Sequence, residues 1–366
     1  MNGATLVALV ALVALALAAC KGGSRTGAGS NAAGSSVGSN PAGSNAASAP
    51  AIDPRVSELP GELWFVDDGP PHLLVRFVGG KRLAIEAPLF PSTARLPDGR
   101  LVAIRSRGDG SPDSEQLVLV APDGTQAPLG PAAPQVRDPV ADPRGAWIIA
   151  ALQIDGRSEL HRIDVATGTA TRLTDNKEGN FHPVRLGADA IAFVSSRDGD
   201  SELYRMPVAG GAALRLTAFH KDDWDPEPSP DAKVLAFTSD REGPPRICLI
   251  DPDGTTFRRL TTRAATGADR ELEEGPLRWS PDGTRIAYVL RGAGRGQLVV
   301  RVVGSGAETI VTPAGASDAE PMWSPDGAWL AVVRAIGRDS QLVAIPVAGG
   351  EPVRITAGAA QLPRWF

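Results

Sequence analysis

Residues 319–333 read "AEPMWSPDGAWLAVV", and the last seven residues, 360–366, read "AQLPRWF". Pro321 stands two before Trp323, and Pro363, 42 residues further on, stands two before Trp365. The longer stretch reads as a strand, a Ser-Pro-Asp-Gly turn and a second strand. Pro presets φ at the first central turn position and Gly supplies a positive φ, so this turn closes a hairpin. The terminal stretch holds the first strand without its turn. An unpaired strand exposes a row of backbone donors and acceptors, so residues 360–366 call for a partner from elsewhere in the chain.

Turns of the same kind recur at Pro97, Pro143, Pro230, Pro281 and Pro325, with Gly187 at the corresponding point of "RLGADAIAF"; successive spacings are 46, 44, 43, 51 and 44 residues. An apolar run follows each turn, for example "AWIIAAL", "KVLAFTS" and "TRIAYVL". A second run follows, as in "ELYRMPV" or "RICLIDP", and a third ends in "TRLT", "LRLT", "RRLT", "TIVT" or "VRIT". Short β-prone runs joined by Gly-containing turns make antiparallel hairpins. Each unit therefore contains four short strands, one before the Pro turn and three after it. Four-stranded units at this period are the signature of a β-propeller. Seven outer hairpins can be counted, from "HLLVRFVGGKRLAI" to "QLVAIPVAGGEPVRI". The first is preceded by one strand, "ELWFVDD", and lacks the innermost, which "QLPRWF" supplies. The fold class is all-β, a seven-bladed propeller closed by the C-terminal strand joining the first blade. Six blades is the alternative, should the weak second unit prove irregular.

The pattern P-x-W-S-P-D-G-x-x-x-A, with "SSRDGDSELYRM" and "LRLT" after it, resembles the WD40-like repeats of TolB-type propellers over roughly residues 58–366. That resemblance implies the fold and leaves function open, since propellers host many activities.

The N-terminus is of another kind. "MNGATLVALVALVALALAAC" carries an apolar run from Ala4 to Ala19, too short to span a bilayer comfortably, and fits a secretory signal over residues 1–19. Leu17-Ala18-Ala19-Cys20 resembles the lipobox of bacterial lipoproteins, which implies cleavage before Cys20 and lipidation of that cysteine. Lys21 in place of Asp, by resemblance to the enterobacterial sorting rule, favours the outer membrane, facing the periplasm, with the cell surface as the alternative. Residues 20–52 are nearly all Gly, Ser, Ala and Asn, unable to bury enough apolar surface to offset ordering entropy, and read as a flexible tether. The "GSSVG" string within it matches the nucleophile pattern G-x-S-x-G but lacks the strand and helix that pattern requires. Residues 53–366 are then the propeller.

The net charge of −5 argues against a nucleic-acid partner. Two cysteines, Cys20 and Cys248, are too few for a disulfide framework, and Cys248 in "RICLIDPDG" reads as a small buried hydrophobe. The four histidines, His72, His161, His182 and His220, fall in separate repeats without metal-ligand spacing.

Naming the strands a to d from the axis outward, the a–b and c–d turns lie on one face, and the b–c loops and d-to-a crossovers on the other. The crossovers are long and charged, the longest running from Thr261 to Pro276, and loops of this kind on a rigid scaffold are where binding resides. Just before the innermost strands stand Asp138, His182, Asp225, Glu274 and Glu320, expected to ring one mouth of the central channel. Three roles fit them: capping of backbone N–H groups, an acidic mouth for a basic segment, or a site for a hard divalent cation such as calcium. No cofactor other than such a cation is implied. The functional reading is a non-catalytic envelope binding protein, monomeric and membrane-attached through its lipid alone, that presents an acidic loop face to a peptide or protein. An enzyme acting on a glycan or lactone, with a cation at the channel mouth, is the alternative.

Overall fold

The computed structural model describes residues 52–366 apart from 69–71, 87–88, 110, 112, 177, 262–270 and 338. Cys20, the signal stretch and most of the tether lie outside the described residues. A short 3₁₀ turn, Pro54–Glu58, is capped by Asp53, whose carboxylate accepts from the Arg55 N–H. From there the chain forms seven four-stranded antiparallel sheets. Six take their strands in sequence order. In the remaining one, blade 1, the order is Ala360–Trp365, Glu62–Asp67, Leu73–Val78 and Lys81–Glu86.

The closing pair matches Leu63 with Trp365 and Asp67 with Ala360. Beyond its ends, Glu62 and Phe366 exchange two backbone hydrogen bonds of 2.8 Å, and the Asp68 N–H donates to Ala359. Gly61 makes this approach feasible: its φ is +74°, and a Cβ there would stand 2.3 Å from the Phe366 carbonyl oxygen. Trp365 is buried like Trp279 and Trp323, and the three indoles donate to the carbonyls of Pro60, Glu227 and Arg278. The count is seven blades. The second unit is complete but uneven, with a register shift between Pro91 and Arg95 in its a strand.

The apolar residues gather in seven clusters among the described residues, each shared by two adjacent blades. The b strands are covered on both faces, which is why Trp147–Leu152 and Ala190–Ser195 are buried at every position. Their sequences accordingly read as continuous apolar runs with no two-residue alternation. Cys248 lies in one such cluster, with burial pushing its thiol up to about 12.

The Pro turns share one hydrogen-bond set. In the last three repeats the serine hydroxyl (Ser229, Ser280, Ser324) donates to the turn aspartate (Asp231, Asp282, Asp326) and accepts the N–H that opens strand b. Gly283 and Gly327 hold the left-handed position; in blade 5 it is taken by Ala232, with φ of +56°.

Two outcomes follow for stability. Deleting residues 360–366 removes a buried tryptophan and a whole ladder, at a cost of more than about 3 kcal/mol, so the cooperative melt should fall sharply or vanish; an unchanged melting temperature would refute closure. Ala232→Gly relieves the left-handed strain and should stabilise by about 1 kcal/mol in chemical denaturation.

Candidate functional site

Several a strands share a six-position burial pattern: buried, two half-exposed, buried, half-exposed, buried. Val136–Ala141, Asp318–Trp323 and Ala360–Trp365 follow it. A plain strand alternates with period two, so the adjacent half-exposed pair requires a bulge. The registers shift at that point, between Arg137 and Val140, Phe181 and Val184, Trp224 and Glu227, and Ala319 and Met322.

The bulge residue itself has a positive φ: Asp138 (50°), His182 (45°), Asp225 (50°), Glu320 (52°) and Leu362 (54°). Each of the five is followed by a buried proline. Proline cannot donate to a ladder, and a bulge is where a strand tolerates it. Asp and His accept the left-handed region more readily than most residues, although each such position still costs about 1–3 kcal/mol. Held this way, the third-position side chains face the channel together.

Three of them meet. His182 lies between two carboxylates, its Nε2 3.4 Å from Asp138 Oδ2 and its Nδ1 3.5 Å from Asp225 Oδ1. All three side chains keep between 35% and 38% of their exposure. The Asp138 carboxylate, followed by that of Asp225, raises the His182 pKa above its ordinary 6.5 against the opposing pull of burial and Arg278. Glu320 belongs to the same tier and accepts the Leu362 N–H at 2.9 Å, so its carboxylate also acts as a backbone cap.

Glu274 is not brought to this tier. It is 1% exposed, and its Oε2 accepts from the Ile247 N–H at 3.1 Å and the Thr261 hydroxyl at 2.5 Å, tying blade 6 to blade 5. Its counterparts are the first-position acids Asp223 and Asp318, also buried and bonded to Arg241 and Arg334. Burial pushes the Asp223 carboxyl up to about 6 despite Arg241 at 2.7 Å. In blade 6 the third position is Pro276, because its proline stands three residues before Trp279, whereas Pro321 stands two before Trp323.

One step deeper, the fifth positions carry Glu227, Arg278 and Arg364, none of which the sequence reading singled out. Arg278 Nη1 lies 3.6 Å from Glu227 Oε2. Burial raises the Glu227 carboxyl, with Arg278 opposing it. Burial and then Arg278 pull the Arg364 guanidinium down to about 10, while Glu320 and Asp138 act to keep it charged. The signal was present in the strings "DPEP", "GPLRW" and "LPRW": Glu227 and Arg278 stand two places before the turn serines, and Arg364 directly precedes Trp365 as Arg278 precedes Trp279.

The other histidines are elsewhere. His161 is buried in a c strand with its Nδ1 against the Glu159 carbonyl; His72 lies beside Asp68; His220 stacks on Phe219. Among the described residues no group of three or more His, Cys, Asp or Glu side chains could hold a metal ion. The two mouth aspartates are separated by an imidazole that occupies the space between them. An open groove of about 590 Å³, lined in part by Ile52, Asp53, Arg334 and Arg354, includes none of these mouth residues.

With that geometry in place, the solved structures give a match. TolB from Acinetobacter baumannii superposes with a TM-score of 0.54 at 20% identity, over 85% of this chain and 68% of that one. The fold is that of TolB-like propellers. An oligogalacturonate lyase in complex with manganese aligns at 0.60 and 16% identity, over 81% of this chain and 86% of that one. A puromycin hydrolase aligns at 0.64 and 19%, over 82% of this chain and 52% of that one. TolB, a lyase and a hydrolase thus share the scaffold. No protein-family model matches the chain, and no curated protein sequence does. Among the described residues no helix is long and apolar enough to cross a membrane.

The raised His182 pKa fixes a sign. A group titrating higher in the folded state contributes stability that is complete below about 6.5 and is lost as pH rises through the folded value. His182→Gln should therefore lower the urea midpoint at pH 6 and change it by much less at pH 9. In an NMR titration Asp138→Asn should lower the His182 pKa more than Asp225→Asn does.

Proposed function

We propose that this protein is an exported envelope binding protein, lipid-anchored through Cys20 and tethered by residues 20–52, whose channel mouth receives a basic segment of a peptide or protein partner. The outer membrane, facing the periplasm, is the proposed location. The observation that carries the reading is the mouth itself: Asp138 and Asp225 held on left-handed bulges 3.4 and 3.5 Å from His182. Glu320 stands on the equivalent bulge of blade 7, and Glu227 lies one step deeper. Four carboxylates against two guanidiniums make a negative concavity within low-dielectric walls, which concentrates field lines on an approaching cation. Fixed carboxylates on strained backbone are preorganised, so a ligand loses little to their ordering. Similarity in fold to TolB supports a partner in the envelope.

Similarity in fold to an oligogalacturonate lyase that binds manganese favours a second reading, an enzyme on a glycan or lactone with a cation at the mouth. One preparation separates the two. In pull-downs from envelope extracts, the wild type should retain a partner that Asp225→Lys and Glu320→Lys lose at least tenfold, with no stoichiometric metal in elemental analysis. Retention of every partner by the charge reversals would overturn the binding reading, and one bound cation per chain would favour the enzyme.

A further inference from the structure

The channel carries two layers of opposite charge. The outer layer, at the third strand positions, is acidic: Asp138, Asp225 and Glu320 around His182. The inner layer, two residues further along the strands and therefore about 7 Å deeper, holds Arg278 and Arg364 with Glu227, two cations to one anion. The two arginines share one conformation, each Nη1 donating at 2.8 Å to the carbonyl of the residue before it, Leu277 or Pro363. The Nε atoms of both are buried without a hydrogen-bond partner. Arg278 has Glu227 at 3.6 Å, whereas Arg364 has no carboxylate within 4 Å among the described residues. Both guanidiniums are half-exposed but keep a shielded, unpartnered Nε, and an incoming anion would offset that loss.

An acidic rim above a basic floor suits a ligand whose anion leads and whose cation trails by about 7 Å, the reach of an extended lysine or arginine side chain from its own carboxylate. We propose that the channel captures a basic residue bearing a free α-carboxylate, the carboxylate between Arg278 and Arg364 and the side-chain cation among Asp138, Asp225 and Glu320. Capture of a terminal carboxylate by a fixed cluster of donors is a known mode of peptide recognition. Guanidinium groups suit it, since they meet a carboxylate through paired N–H donors. The proposal rests on the acidic-mouth reading and adds the direction of entry: the chain goes in carboxylate first from the crossover face. Two sources carry this chemistry, the C-terminus of a protein and a free basic amino acid.

The test is a calorimetric titration of the intact protein with Gly-Ser-Gly-Ala-Arg, the same peptide as its C-terminal amide, and free L-arginine. The acid should bind at least tenfold more tightly than the amide, and Arg364→Met should reduce that ratio to about one. Because Arg364 lies in the closing strand, its melt is recorded alongside; Arg278→Met, in blade 6, repeats the measurement if Arg364→Met does not fold. Tight binding of free arginine would assign the site to the amino acid, and binding of the peptide acid alone to a protein terminus. Equal binding of acid and amide, abolished by Asp225→Lys, would overturn this inference while leaving the acidic mouth standing. Failure of all three ligands to bind, or an acid-to-amide ratio unchanged in both arginine variants, would overturn it as well.

Discussion

No blade here can bury its own apolar surface; each leaves two flat faces that only its neighbours can cover. The seven shared clusters are this constraint made visible: residues of blades 7 and 1 mix in one, of blades 1 and 2 in the next, and so on around the axis. Removing one blade from such a ring would expose two faces at once. Burial of this extent contributes about 25 cal/mol per Å² of apolar surface, so the ring is stable as a whole. The polar ties follow the same logic, with Glu274 reaching across to Ile247 and Thr261 of the preceding blade.

The channel site is a by-product of how the inner strands meet that constraint. In blades 1, 3 and 7 the inner strand places one residue into the blade interface at its start and another at its end, while a buried proline takes the fourth position; blades 4 and 5 share the first residue and the proline. The parity of a regular strand does not permit all three, and the left-handed residue absorbs the mismatch. Its side chain is thereby turned toward the axis. The strain at Asp138, His182, Asp225 and Glu320 is held by the packing of the prolines after them, so the chemistry of the mouth and the stability of the core are coupled.

The blade period, the hairpins and the closing strand were legible because they rest on local chemistry: a Pro-Asp-Gly turn means the same thing wherever it stands. The burial of Trp365 followed from the same alignment. The site was legible in part. Asp138, His182, Asp225 and Glu320, singled out as standing just before the innermost strands, share one tier of those strands, whereas Glu274, singled out on the same ground, does not. Blade 6 has shifted its proline by one residue, and in a strand one residue exchanges the channel side for the buried side. Aligning on Trp279 in place of Pro276 would have corrected it. Arg278 and Arg364 were missed for a related reason: their facing depends on a bulge that the residues themselves do not announce.

The pairing of residues 62–67 with 360–365 also sets an order in time. Nearly 300 residues separate these partners, so the contact is among the last that a growing chain can make. Until residue 365 is available, the Glu62–Asp67 edge is open and the flanks of blades 1 and 7 are uncovered. Contacts this distant in sequence slow folding and lengthen the lifetime of aggregation-prone edges. A partly synthesised chain would therefore keep an open edge until its final strand arrives, and the locked ring would form only afterwards.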